Sequence, residues 1–291
     1  MEGSSTGTAQ GDLQASTRVG RVALGVADLG RMTDFYVDTV GLAVHERTDD
    51  RACLGPNGGD PILELHASDA PARASDVAGL FHTAFRVPDR AALGAALDRI
   101  EAQWQLGGAS DHAVSEALYL QDPEGNGIKL YRDTPRNVWP TTADGSVNIK
   151  SYPLDLDSIR AASDGAASVP AETDVGHVHL EVTSIPAARE FYVDALGFRL
   201  CDTQTQGTDT QALFVAADGY HHHLALNTWR ERTAPAGGRG LTWFELLVPD
   251  AAALDGLRTR LDVAGVGFDA DGSELTVRDP DGIELRFRTQ A

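Results

Sequence analysis

His177, His179 and Glu181 alternate with Val178, Leu180 and Val182 in the stretch from Val175 to Val182. A period of two belongs to a strand with two unlike faces, so both imidazoles and the carboxylate look the same way. A second concentration of metal-ligating side chains is Tyr220-His221-His222-His223-Leu224-Ala225-Leu226-Asn227-Thr228-Trp229. Read as one strand, it puts His221, His223, Ala225 and Asn227 on one face and His222, Leu224 and Leu226 on the other. A third candidate is Glu284, which faces away from Ile283, Leu285 and Phe287 in its own strand. His177, one histidine of the 221–223 run and Glu284 together supply two imidazoles and one carboxylate. With positions left open, such a set suits Fe(II), Mn(II) or another divalent ion that binds substrate and dioxygen side by side.

The elements that must position these residues repeat. Val19-Gly20-Arg21-Val22 and Phe35-Tyr36-Val37-Asp38 recur 156 residues later as Val175-Gly176-His177-Val178 and Phe191-Tyr192-Val193-Asp194. Gly79-Leu80-Phe81-His82 likewise matches Gly240-Leu241-Thr242-Trp243, and Asp122-Pro123-Glu124-Gly125 with Ile128-Lys129-Leu130 matches Asp279-Pro280-Asp281-Gly282 with Ile283-Glu284-Leu285. Each half reads strand, helix, several strands, then the same again; one helix runs from Ile185 to a stop at Gly197. The prediction is an α+β protein of four βαβββ units forming two domains, each a cupped mixed β-sheet with helices outside. Residues 18–135 would form the first domain, 136–173 a linker with a short helix around Leu156 to Ala162, and 174–291 the second domain, with 1–17 a disordered tail.

Composition narrows the function. The 291 residues carry a formal charge of -19, with 43 acidic side chains. That balance argues against nucleic acid or an anionic membrane as partner. Only Lys129 and Lys150 are lysines; the other basic residues are arginine. Acidic, lysine-poor composition resembles that of salt-loving archaeal proteins; the alternative source is a GC-rich genome. No apolar run reaches membrane-spanning length and the first residues lack a signal pattern, so a cytoplasmic protein is expected. Cys53 and Cys201 are read as apolar fillers.

The repeated units, the Phe-Tyr-x-Asp helix end, the Asp-Pro-x-Gly turn before an Ile-Glu-Leu strand and the Tyr220–Trp229 segment resemble the vicinal oxygen chelate superfamily, within it the two-domain catechol 2,3-dioxygenase-like proteins. The resemblance implies a metal-dependent extradiol ring-cleaving dioxygenase of aromatic catabolism, taking a small catechol-type aromatic and dioxygen at Fe(II), or at Mn(II) or another divalent metal. It assigns one His ligand to the first strand of the third unit, one to the first strand of the fourth and a Glu to the last strand of the fourth. His177 and Glu284 match, while Trp243 stands at the second position; His223 is the preferred replacement and Glu245 the alternative. His222 or His221 would be the acid/base histidine, with His179, Trp243, Glu245 and Asn227 at the substrate pocket. The first domain, with Arg21 and Lys129 at ligand positions and His82 as a buried hydrogen-bonded histidine, would be non-catalytic. A glyoxalase-like isomerase or lyase and a metal-free binding protein of the bleomycin-resistance type are the other activities the resemblance allows. A homo-oligomer is compatible with it.

Overall fold

A computed structural model describes residues 13–142 and 147–290, and all four expected units are present. Unit 1 runs β1 (Arg18–Val26), α1 (Leu29–Phe35), β2 (Ala43–Arg47), β3 (Arg51–Gly55) and β4 (Leu63–Ala67). Unit 2 runs β5 (Gly79–Arg86), α2 (Arg90–Gln103), β6 (Gly108–Asp111), β7 (Ser115–Gln121) and β8 (Gly127–Asp133). A connection containing β9 (Tyr152–Pro153) and the expected short helix, α3 (Leu156–Ala161), leads into the second half. Unit 3 comprises β10 (Asp174–Glu181), α4 (Ile185–Arg189), β11 (Arg199–Gln206), β12 (Asp209–Ala216) and β13 (Leu224–Asn227). Unit 4 comprises β14 (Gly240–Val248), α5 (Ala251–Ala264), β15 (Phe268–Asp271), β16 (Glu274–Arg278) and β17 (Glu284–Thr289).

Helix starts follow from local chemistry. Asp28, Asp89, Asp155, Ser184 and Asp250 each sit at an N-cap and accept from the amide three residues on, satisfying a donor the helix leaves open. Both α1 and α4 widen into a π turn and stop where Gly41 and Gly197 take φ of 90° and 84°. Only glycine accepts that conformation at little cost.

Sheet pairing departs from the expected domains. One sheet has the order β15-β16-β17-β14-β1-β4-β3-β2 and the other β11-β12-β13-β10-β5-β8-β7-β6-β9. Antiparallel pairs β1–β14 and β5–β10 close the seams. Each sheet therefore takes one unit from each half: unit 1 with unit 4, unit 2 with unit 3. The expectation that each half builds its own cup is corrected by this pairing. Where the halves do cohere is the helix layer. Tyr36 Oη donates to Asp122 at 3.1 Å, and Tyr192 Oη to Asp279 at 2.9 Å, tying each half's first helix to its second unit's Asp-Pro turn. Burial raises the pKa of Asp122, and that of Asp279 to about 6.

Of the expected tail, residues 1–12 lie outside the described residues. Leu13 is buried and its amide donates to the Gly197 carbonyl at 2.9 Å, while Thr17 is also buried. The segment 13–17 is thus docked rather than loose. Among the described residues no helix is long and apolar enough to cross a membrane.

Candidate active site

On β10 the alternation holds. Val178 and Leu180 enter the main hydrophobic core, and His177 and His179 point the other way into a cavity of about 960 Å³. This is large enough for a single-ring aromatic. Antiparallel pairing with β5 sets His82 opposite His179, and the Nε2 atoms of His82 and His177 lie 3.3 Å apart. Lys129, from β8 beside β5, lines the same space, as do Phe81, Phe214, His222 and Trp229. The site is thus built by units 2 and 3, across the midpoint of the sequence.

A hydrogen-bond chain approaches the cavity from Asp133. His221 Nε2 lies 3.0 Å from Asp133 Oδ1, and His221 Nδ1 lies 2.8 Å from His222 Nδ1. An ionised Asp133 can only accept, so His221 carries its proton on Nε2 and accepts through Nδ1 from His222 Nδ1–H. His222 is left with an unprotonated Nε2. By the same logic, Tyr220 Oη donates to Asp133 at 2.9 Å, Tyr131 Oη donates to Tyr220 at 2.7 Å, and Tyr131 receives the Nδ1–H of His177 at 3.4 Å. His177 Nε2 then accepts from His82. Behind the wall, Asn227 Nδ2 donates to His179 Nε2 at 2.9 Å, and its Oδ1 accepts from the Trp229 amide at 3.1 Å. Asn227 positions lining residues without lining the cavity itself.

Burial drives every histidine of this cluster toward neutrality. Desolvation, with Lys129 adding like-charge repulsion, puts the pKa of His179 at about 3 and those of His82, His177 and His222 well below 6.5. Burial works against the Asp133 carboxylate, but hydrogen bonds and charge from His221, Arg86 and Tyr220 together hold it below its ordinary value. Lys129 is 4% exposed, and burial lowers its pKa to about 7.

Tight backbone approach makes this arrangement sensitive to one glycine. A Cβ on Gly176 would meet Tyr131 Oη at 1.8 Å. Gly176→Ala is expected to lose about 1–3 kcal/mol of stability through overpacking. Urea midpoints check it, and adding Tyr131→Phe, which removes the colliding oxygen, should recover part of the loss.

The structure separates several residues expected to share a metal. His177 is in the cavity, whereas Glu284 lies in the other sheet, bound by Arg278 and by Arg286 at 2.8 Å. Trp243 is stacked between Arg21 and Arg286, at 5.7 and 4.3 Å. Glu245 pairs with Arg21 at 3.2 Å and Arg288 at 3.1 Å. None of Glu284, Trp243 and Glu245 belongs to the cavity. His223 is also outside it: Nδ1 accepts from the Ala217 amide at 3.2 Å and the ring stacks on Tyr220. The reason is that strand β13 begins at Leu224, so alternation does not extend back through the histidine run and His222, not His223, faces inward. Glu181 is neutralised by Arg73, Arg230 and Arg232. His179 and His222 do line the cavity, with His221 directly behind His222.

His82, the internal counterpart of Trp243, is buried and hydrogen-bonded as expected; what the sequence reading missed is its place in the site. Unit pairing makes it the second imidazole beside His177. At the third corner, where unit 4 has Glu284, unit 2 has Lys129. These residues do not fit a divalent ion held by two imidazoles and a carboxylate, because the third donor is an amine buried as a cation or a weak base. Among the described residues no group of three His, Cys, Asp or Glu side chains is arranged to hold a metal.

Comparison with known proteins gives a consistent family picture. The profile of the Glyoxalase/Bleomycin resistance protein/Dioxygenase superfamily matches residues 18–130 and 174–287. A catechol-2,3-dioxygenase of Bacillus subtilis (strain 168) is 36% identical over 275 residues, 92% of this chain and 95% of that protein. Among solved structures, a dioxygenase candidate from Bacillus subtilis subsp. subtilis str. 168 superposes with a TM-score of 0.62 at 14% identity, over 97% of this chain and 86% of that one. Glyoxalase I from Zea mays gives 0.57 at 17% identity, over 94% and 92%. Both structures share the fold.

Proposed function

Since the chain belongs to the Glyoxalase/Bleomycin resistance protein/Dioxygenase superfamily, we propose that its cavity takes a catechol-type aromatic, one ring hydroxyl of which donates to the free Nε2 of His222. The observation that carries this reading is the Asp133–His221–His222 chain, which ends in an unprotonated nitrogen inside an aromatic-walled cavity. Phe81, Phe214 and Trp229 supply ring faces, and a buried acceptor that would otherwise go unpaired selects for a hydroxyl. Asp133 and His221 hold the His222 tautomer; Asn227 holds His179. The test is a spectroscopic titration of chelator-treated protein with 4-nitrocatechol. Saturable binding by the wild type, weakened about tenfold or more in His222→Phe, is the expected result; a wild type that does not bind sinks the proposal.

Ring cleavage next to the diol is the second reading, favoured by the full-length likeness to a protein named catechol-2,3-dioxygenase. It needs an electron-transferring ion such as Fe(II) or Mn(II), and the His82, His177 and Lys129 corner lacks the carboxylate that would complete its site. Anaerobic Fe(II) loading followed by catechol and oxygen decides: a yellow ring-cleavage product supports the oxygenase reading, and binding without product supports recognition alone.

A further inference from the structure

We infer that Lys129 makes the cavity an anion site, in which its ammonium group faces the ionised oxygen of an aromatic ligand and occupies the charge position that a metal cation would need. The inference rests on the catechol-type reading above and adds the ionisation state of the ligand and the residue that selects it.

Three observations converge. Lys129 is buried yet makes no hydrogen bond or ion pair among the described residues; its Nζ lies over the rings of Tyr131 and Tyr119, at 4.9 and 5.7 Å. A buried cation without a partner is costly unless something supplies one. The cavity is also cationic in an acidic protein. Both lysines of the chain, Lys129 and Lys150, line it, against a formal charge of -19 overall; Arg230 lines it too but is paired with Glu181 at 3.5 Å. Among the described residues its one lining carboxylate, Asp122, is already bonded to Tyr36 and Asn126. Finally, the neighbouring rings of His82, His177 and His222 carry no negative charge in any protonation state, so none of them supplies the counter-charge. A low-dielectric cleft lined by one sign of charge focuses its field on a ligand of the other sign.

A vicinal diol suits both ends of this site. One hydroxyl keeps its proton and donates to His222, while the other binds as the phenolate facing Lys129. No covalent step is involved; the second hydroxyl releases its proton to solvent on binding.

The experiment compares chelator-treated wild type, Lys129→Met and Lys129→Glu. Probes are 4-nitrocatechol, whose visible absorption reports ionisation, its uncharged dimethyl ether, and Co(II) alone. Wild type should bind 4-nitrocatechol with the phenolate spectrum, bind the dimethyl ether at least tenfold more weakly, and take up no stoichiometric Co(II). Lys129→Met should lose about 10–100-fold in 4-nitrocatechol affinity, the range for a charge-assisted hydrogen bond. Lys129→Glu, which restores a carboxylate beside His82 and His177, should acquire Co(II) with its d–d absorption. Equal 4-nitrocatechol affinity in wild type and Lys129→Met overturns the inference while leaving catechol recognition standing. Stoichiometric Co(II) uptake by the wild type overturns it as well. Failure of wild type to bind 4-nitrocatechol sinks the catechol reading itself, a separate outcome.

Discussion

Acidifying the protein from pH 7 to pH 5 is expected to remove several kcal/mol of its folding free energy, roughly 2 kcal/mol for each buried histidine that stays neutral. Six histidines, His82, His177, His179, His221, His222 and His223, are buried, and desolvation lowers the pKa of each, to about 3 for His179 and about 4 for His223. The unfolded chain protonates histidine near 6.5, so below that pH the unfolded state binds more protons than the folded one. Stability contributed by these groups is therefore present above pH 6.5 and is lost as pH falls toward the folded values. A histidine that stays neutral in the fold costs on the order of 2 kcal/mol at pH 5. His179 and His223, with folded values of about 3 and about 4, account for about 4 kcal/mol of loss at pH 5, a large share of the stability of an ordinary domain, and the other four act in the same direction. Asp279 opposes it. Its folded pKa of about 6 lies above the unfolded value, so it stabilises as pH falls, by only about 1 kcal/mol at pH 5. Most surface carboxylates titrate lower still. Circular dichroism at fixed urea between pH 7.5 and 4.5 checks this. A transition midpoint indifferent to pH above 5 would show that the cluster is hydrated or already charged.

That cluster also shows which parts of the fold the sequence could reveal. Strand β10 was legible because its two faces differ in kind: Val178 and Leu180 need the core, and His177 and His179 do not. The stop of the helix that begins at Ile185 was legible because Gly197 takes the left-handed conformation that ends a helix. Unit pairing was not. Four similar units offer similar seams, and nothing in the periodicity of β5 says whether β10 or β1 lies beside it. Charge did not name the seam either. Arg21 in unit 1 pairs with Glu64 of its own unit at 2.5 Å as well as with Glu245 of unit 4 at 3.2 Å, so its need for an acid is already met locally. His223 was lost for a different reason: Tyr220 and its neighbours form an irregular approach to β13, where alternation has no meaning.

Lys129→Met is expected to make the protein more stable while weakening its ligand binding. Burial takes the Lys129 pKa from 10.5 to about 7, a gap equivalent to about 4–5 kcal/mol at neutral pH. Against this stands the attraction of Tyr131 and Tyr119 for the ammonium, about 2 kcal/mol when desolvated. Desolvation wins, so a side chain of similar length without charge should return about 2–3 kcal/mol. The sign in pH is also set. A lysine whose folded pKa lies below its unfolded value contributes fully above pH 10.5, and that contribution is lost as pH falls toward 7. The advantage of Lys129→Met over wild type should therefore be largest at pH 7 and shrink steadily toward pH 10. Thermal unfolding of both proteins across that range measures it. A structural lysine would give the opposite result, a less stable variant at every pH. A group that costs stability in the empty cavity and recovers it from an anion is a binding residue, and the two measurements together separate that role from simple packing.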